Sequence, residues 1–308
     1  MPSDYRRGIA WSLGAALCSG FFVIPWKLAN EVGDPTTSTF ALLGFAALFN
    51  TALGIASGGG ASRRALGRYE LWIALALAAL SLLGNLASAT AIRTLSASLM
   101  NVLQRGELLV VALLAWAMLG ERVERRFWMG AAIAGIGLVV LRDPWGGGSG
   151  DLRGTGFALL SVLCFSAMAV VTRMAIHRID PVRVNALRLW MTLPLWLLVA
   201  GGPEALGSTG REQLLYAALA AFAGPFAARL CLILSARHVA ARITTLGALS
   251  APAISLPLEA MILGHVPPVH ELLGGAILLA GIAIPLLGRR APHRVGATPS
   301  ATTETRSR

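Results

Sequence analysis

Charged side chains are scarce in this sequence, at 13% of residues, and lysine is almost absent: Lys27 stands alone among 26 basic residues. So little charge cannot keep a 308-residue chain with 56% hydrophobic residues in water, which excludes a soluble globular enzyme. Cysteine is limited to Cys18, Cys164 and Cys231, each inside an apolar stretch with no His or Cys at metal-ligand spacing. That excludes a disulfide framework and leaves no metal site. A Gly-rich phosphate loop, an HExxH zinc signature and a nucleophile elbow are also missing. The expectation is no enzyme, no cofactor and no metal.

What is present is apolar length. A hydrocarbon core of about 30 Å takes around 20 apolar residues to cross, and ten stretches approach that length: 8–29, 36–57, 69–91, 97–119, 125–141, 153–176, 182–201, 212–235, 242–264 and 268–288. The links between them are too short for an extramembrane catalytic domain. The formal net charge of +11 raises the question of a nucleic-acid partner, which the placement of the arginines answers. One set of loops holds Arg6, Arg7, Arg63, Arg64, Arg68, Arg122, Arg125, Arg126, Arg178, Arg183, Arg237, Arg242, Arg289, Arg290, Arg294, Arg306 and Arg308, and the other only Lys27, Arg93, Arg142, Arg153 and Arg211. This is the positive-inside asymmetry of a plasma (inner) membrane protein with both termini in the cytoplasm, and it needs no nucleic acid. The expected partners are membrane lipid and a small-molecule solute, with a homodimer as an open oligomeric state. Residues 289–308, rich in Arg, Ser, Thr and Pro, are expected to form a disordered cytoplasmic tail.

The chain also repeats itself. Residues 8–43 align without a gap on 154–189, and 71–141 align on 215–285. Asp34-Pro35 meets Asp180-Pro181, Lys27 meets Arg173, Asn85 meets Arg229, Leu119-Gly120 meets Leu263-Gly264, and Gly130 and Gly137 meet Gly274 and Gly281. The expected units are 1–145, 146–288 and the tail. Five spans per copy is an odd number, so the second copy enters the membrane from the opposite side. The fold class expected is an all-α polytopic membrane protein of ten transmembrane helices in two inverted five-helix repeats, a geometry suited to alternating access.

The stretch Leu113-Leu114-Ala115-Trp116-Ala117-Met118-Leu119-Gly120-Glu121-Arg122, followed by Gly130-Ala131-Ala132-Ile133-Ala134-Gly135, resembles EamA-type members of the drug/metabolite transporter superfamily. Its echo runs from Ser250-Ala251-Pro252 through Leu263-Gly264 to Gly274-Gly275-Ala276-Ile277. The sequence departs from the family pattern at His265, where an acidic residue is usual, and at Leu108, where proline is common. The resemblance implies a ten-helix secondary transporter, often an exporter, with a central cavity between its halves.

Polar side chains inside spans are costly, so they face inward, pair, or line a wet path. The fourth span carries Asn101, Gln104, Arg105 and Glu107 on one face, either as the wall of a substrate cavity or as ties to other helices. Asn85, Arg188, Arg229 and Glu259 complete the candidate substrate-binding set. Glu107 and Glu259, the acidic residues within spans, are the candidates for proton coupling. Lys27, Arg173, Pro252 and Pro257 are candidate gating residues, with a hinge expected between the two prolines. The cationic excess in the spans favours a carboxylate-bearing solute, such as an amino acid. The function expected is export of a small organic metabolite by alternating access. A lipid or lipid-linked-sugar translocator and a non-transporting membrane scaffold are the alternatives.

Overall fold

The computed structural model describes residues 3–56, 67–120, 124–141, 152–175, 178–179, 181–200, 202–239 and 241–287. The expected disordered tail and the boundary between the two units lie outside the described residues. All regular structure among the described residues is helical. The first copy contains α1 (Ser3–Val32), α2 (Pro35–Ala56), α3 (Arg68–Thr94), α4 (Ala97–Arg105), α5 (Glu107–Leu119) and α6 (Arg125–Leu141). The second contains α7 (Leu152–Ala175), α8 (Pro181–Ala200), α9 (Arg211–Ala221), α10 (Arg229–His238), α11 (Ala241–Ala248), α12 (Ala251–Ile262) and α13 (Val269–Leu287). Seven helical segments, counting α4–α5, α9–α10 and α11–α12 as single rods, are long and apolar enough to cross a membrane.

Local sequence sets the ends. Asp34 accepts from the amides of Thr36 and Thr37 at 2.7 and 3.4 Å and so opens α2, with Pro35 in the first turn, where its missing N–H costs nothing. Ser96 caps α4 by accepting from the Leu99 amide at 3.1 Å. Gly120 and Gly264, repeat mates, end α5 and α12 with φ of 67° and 66°, a left-handed conformation that favours glycine.

Three expected rods are not continuous α-helix. The fourth span breaks at Gly106, where the Gly106 amide reaches back to the Leu103 carbonyl at 2.9 Å and the Leu109 amide to the Gly106 carbonyl at 3.0 Å. The ninth breaks at Ser250, the repeat mate of Gly106, in the same pattern: Ser250 to Gly247 at 3.0 Å and Ala253 to Ser250 at 3.0 Å. The sequence places a hinge between Pro252 and Pro257, whereas the interruption in this structure falls at Ser250. Pro252 sits in the first turn of α12, where a proline is tolerated, and α12 runs on through Pro257. The eighth span widens into a π-helical turn over Phe222–Ala228, because Pro225 lacks an N–H and its ring crowds the carbonyl one turn earlier.

The two copies pack crosswise. α1 lies along α9 and α10, and correspondingly α3 lies along α7. At the other pole α6 packs on α13 backbone to backbone: a Cβ at Gly130 would collide with the Gly281 carbonyl, and one at Gly137 with the Leu278 amide and, at 2.7 Å, the Gly274 carbonyl. The reverse holds for Gly274 and Gly281, whose Cβ positions would lie 2.8 Å from the Gly137 carbonyl and 2.6 Å from the Gly130 carbonyl. Pairing of 130 with 281 and of 137 with 274 makes the two helices antiparallel. The main core lies between these pairs, around Trp26, Leu42, Ile92, Met100 and Ile282.

Candidate functional site

A cavity of about 350 Å³ lies between α3, α5, α7, α8 and α10. Leu77, Phe165, Met168, Ile179 and Val184 give it an apolar wall, and Glu107, Thr172, Asn185, Arg188 and Arg229 supply its polar groups. Local breaks place two of the three charges. Glu107 is the first residue after the Gly106 break, and Arg229 is the first after the π turn. Arg229 is exposed to the cavity and has no hydrogen-bond partner among the described residues. Glu107 lies within the field of both Arg105 and Arg229.

Arg188 is fixed differently. Only 7% of its surface is accessible. Its Nη1 reaches the Ser81 hydroxyl on α3 at 3.4 Å and the Met168 sulfur on α7 at 2.9 Å, while Nη2 donates to Asn185 Oδ1 at 3.0 Å. All three acceptors are neutral, and its Nε has no partner. The charge whose field reaches it is another cation, Arg229. The repeat mate of Arg188 is Leu42, a fully buried core residue, so the guanidinium belongs to one half only.

The other candidates lie elsewhere. Arg105 donates to Ser19 of α1 at 2.6 Å and to Asn101 Oδ1 at 2.8 Å, and Asn101 in turn donates to Ser255 of α12 at 3.1 Å. Gln104 reaches Ser161 of α7 at 3.5 Å. These three tie α4 to helices of the second copy and to α1, which is the packing alternative for that face, while Glu107 opens onto the cavity. Asn85 donates to the Ser81 carbonyl of its own helix at 2.7 Å and does not line the cavity. Glu259 is fully buried away from it and caps α4, accepting from the Ala97 amide at 2.8 Å, the Ser98 amide at 2.7 Å and the Ser98 hydroxyl.

At the far end the helix termini are tied to one another. Lys27 donates to the carbonyls of Leu95 and Ile92 at 2.8 and 3.2 Å, at the C-terminus of α3, and pairs with Glu31 at 3.3 Å. Three ammonium protons meet three acceptors, a use that a planar guanidinium would not reproduce. The α3–α4 turn is thus held by a cation on its carbonyl side and an anion on its amide side, each the sign that a helix end favours. Gln213 closes the same end, donating to Asp34 O, Thr37 Oγ1 and Ser38 Oγ at 3.0, 2.7 and 2.8 Å. Arg173, the mate of Lys27, is exposed in the last turn of α7, at the end towards which the cavity extends. There Tyr69 carries the Arg178 guanidinium over its ring at 6.0 Å.

Sequence reasoning missed Thr172, Asn185, Ser81 and Met168. Asn185 stands three residues before Arg188, a spacing that puts both on one helical face, and that was the available signal. Among the described residues no group of His, Cys, Asp and Glu is placed to hold a metal ion.

The comparisons with known proteins place this helical membrane bundle in a family. The model of the EamA-like transporter family matches twice, over residues 6–142 and 152–287. The chain belongs to the EamA-like transporter family, and is a multi-pass membrane protein. A solved structure described as "Crystal structure of protein" is similar with a TM-score of 0.58 over 88% of this chain and 96% of its own, at 20% identity, a likeness of fold. No curated protein matches.

Proposed function

We propose that the chain is a secondary transporter that moves a small organic metabolite by alternating access, through ten spans arranged as two inverted five-helix halves. The observation that carries this reading is the cavity itself. It is lined from both copies, by Leu77 and Glu107 of the first and by Arg188 and Arg229 of the second, and lies beside an end closed by Lys27, Glu259 and Gln213. One open end and one sealed end are what a carrier caught in one of two states has to have. Inversion is supported by the crossed pairing of Gly130 with Gly281 and Gly137 with Gly274, since mates that contact reciprocally on antiparallel helices obey a two-fold axis. The matching breaks at Gly106 and Ser250 add to it.

The cavity extends towards Ile179 and the α7–α8 turn, the face that carries Arg178 and Arg183. With the basic loops in the cytoplasm, both termini lie inside, the state is open inward, and the plasma (inner) membrane protein loads from the cytoplasm, the direction of export.

The test uses purified protein in proteoliposomes screened for saturable counterflow of metabolites. Beside it, single cysteines at Thr172 and Ser255, in a background lacking Cys18, Cys164 and Cys231, are probed with a membrane-impermeant maleimide from each side. Saturable counterflow, with Thr172 labelled from one side and Ser255 from the other during turnover, is expected. Unsaturable flux, or Ser255 that no condition exposes, overturns the proposal.

A further inference from the structure

We infer that Arg188 is the anchor of an anion subsite, and that the solute is a net-negative carboxylate with an apolar body rather than a zwitterion or an amine. The inference rests on the transport reading above and names the class of solute that the same cavity takes. Arg188 is more than nine-tenths buried, yet its hydrogen-bond partners among the described residues, Ser81, Met168 and Asn185, are all neutral, and its Nε has no acceptor there. A buried guanidinium without a carboxylate is costly to keep, and a second cation, Arg229, beside it raises that cost. A bound anion removes both penalties at once. Ser81, Met168 and Asn185 leave one Nη2 proton unused, the donor that a carboxylate oxygen would take as a charge-assisted hydrogen bond.

The charge balance of the lining decides between anion and zwitterion. Two guanidinium groups, Arg188 and Arg229, face one carboxylate, Glu107. Glu107 already lies in the field of Arg105 and Arg229. An amino group placed in the cavity meets two cations for one anion, so a zwitterion gives back at its amine what it gains at its carboxylate. Besides Thr172 and Asn185, the wall is made of Leu77, Phe165, Met168, Ile179 and Val184, and this apolar stretch fits a hydrocarbon body. The volume of about 350 Å³ holds a single aromatic ring on a short tether with room to spare.

The experiment compares three probes that share one body and differ in charge: 3-phenylpropanoate, phenylalanine and 2-phenylethylamine. Each is titrated by calorimetry into the full-length protein in lipid nanodiscs. The expected result is binding of 3-phenylpropanoate with a Kd of about 1 mM or tighter, phenylalanine weaker by roughly tenfold or more, and no heat from 2-phenylethylamine. Arg188→Met should weaken 3-phenylpropanoate by roughly tenfold or more, and Arg188→Lys by less, because the charge remains while the guanidinium donors at fixed angles are lost. The ranking on the unaltered protein decides even where Arg188→Met does not fold. Phenylalanine or 2-phenylethylamine binding as well as 3-phenylpropanoate, none of the three binding, or a folded Arg188→Met variant binding unchanged each overturns the inference. Saturable counterflow of phenylalanine or the amine without binding of 3-phenylpropanoate leaves transport standing and removes the anion subsite. Binding of 3-phenylpropanoate with no saturable flux of any solute does the reverse.

Discussion

Glu259 and Ala97 are 162 residues apart, yet a carboxylate oxygen of the first accepts the amide of the second at 2.8 Å, in the first turn of α4. The second oxygen takes the amide and hydroxyl of Ser98. Removing this buried carboxylate orphans three donors at a helix N-terminus. Glu259→Ala is expected to destabilise the protein by about 3 kcal/mol, and Glu259→Gln, which keeps one acceptor, by less. Apparent Tm in detergent measures both, and equal losses would mean that the charge and geometry of the cap do not matter.

Lys27 holds the other side of the same turn. Lys27→Met leaves the carbonyls of Ile92 and Leu95 without their donor and should loosen the sealed end. The expected outcome is faster maleimide labelling of a cysteine at Ser255 from the far side than in the parent protein. Labelling unchanged in Lys27→Met would remove Lys27 from the seal.

The α6–α13 contact predicts a contrast within one helix. A methyl group at Gly137 strikes the backbone of α13, whereas one at Gly135 has nothing within 4 Å. Gly137→Ala should lower stability by about 2 kcal/mol, through forced separation of closely packed backbones. Gly135→Ala should be neutral or slightly stabilising, by the better helix propensity of alanine. Thermal unfolding of the pair side by side is the measurement.

Arg105 separates structure from recognition. Its 2.6 Å hydrogen bond to Ser19 ties α4 to α1, outside the cavity lining. Ser19→Ala should cost about 1–2 kcal/mol of stability while leaving the KM of a transported solute unchanged. A rise in KM at unchanged Tm would instead put Arg105 in contact with the solute.

The duplicated apolar pattern, the family and the glycine turns at Gly120 and Gly264 were legible in the sequence, because turns and packing glycines act locally or repeat in register. The break at Gly106 was not, since hydrophobicity runs across it and a single helical glycine is a weak breaker. The break before Pro252 was legible in principle: a proline in the first helical turn starts a helix and does not hinge it. Of the polar candidates, Arg188 and Glu259 were seen as charges inside spans. Which of them faces a cavity and which caps a helix depends on partners more than a hundred residues away, such as Ser81 and Ala97. Periodicity along one helix carries no information of that kind.

The glycine seam between α6 and α13 leaves no side-chain layer that can slide or swing. Prising the pair apart would forfeit the close backbone-to-backbone packing that holds it. In the cycle proposed above the two helices would therefore move as one post, with the remaining helices turning about it.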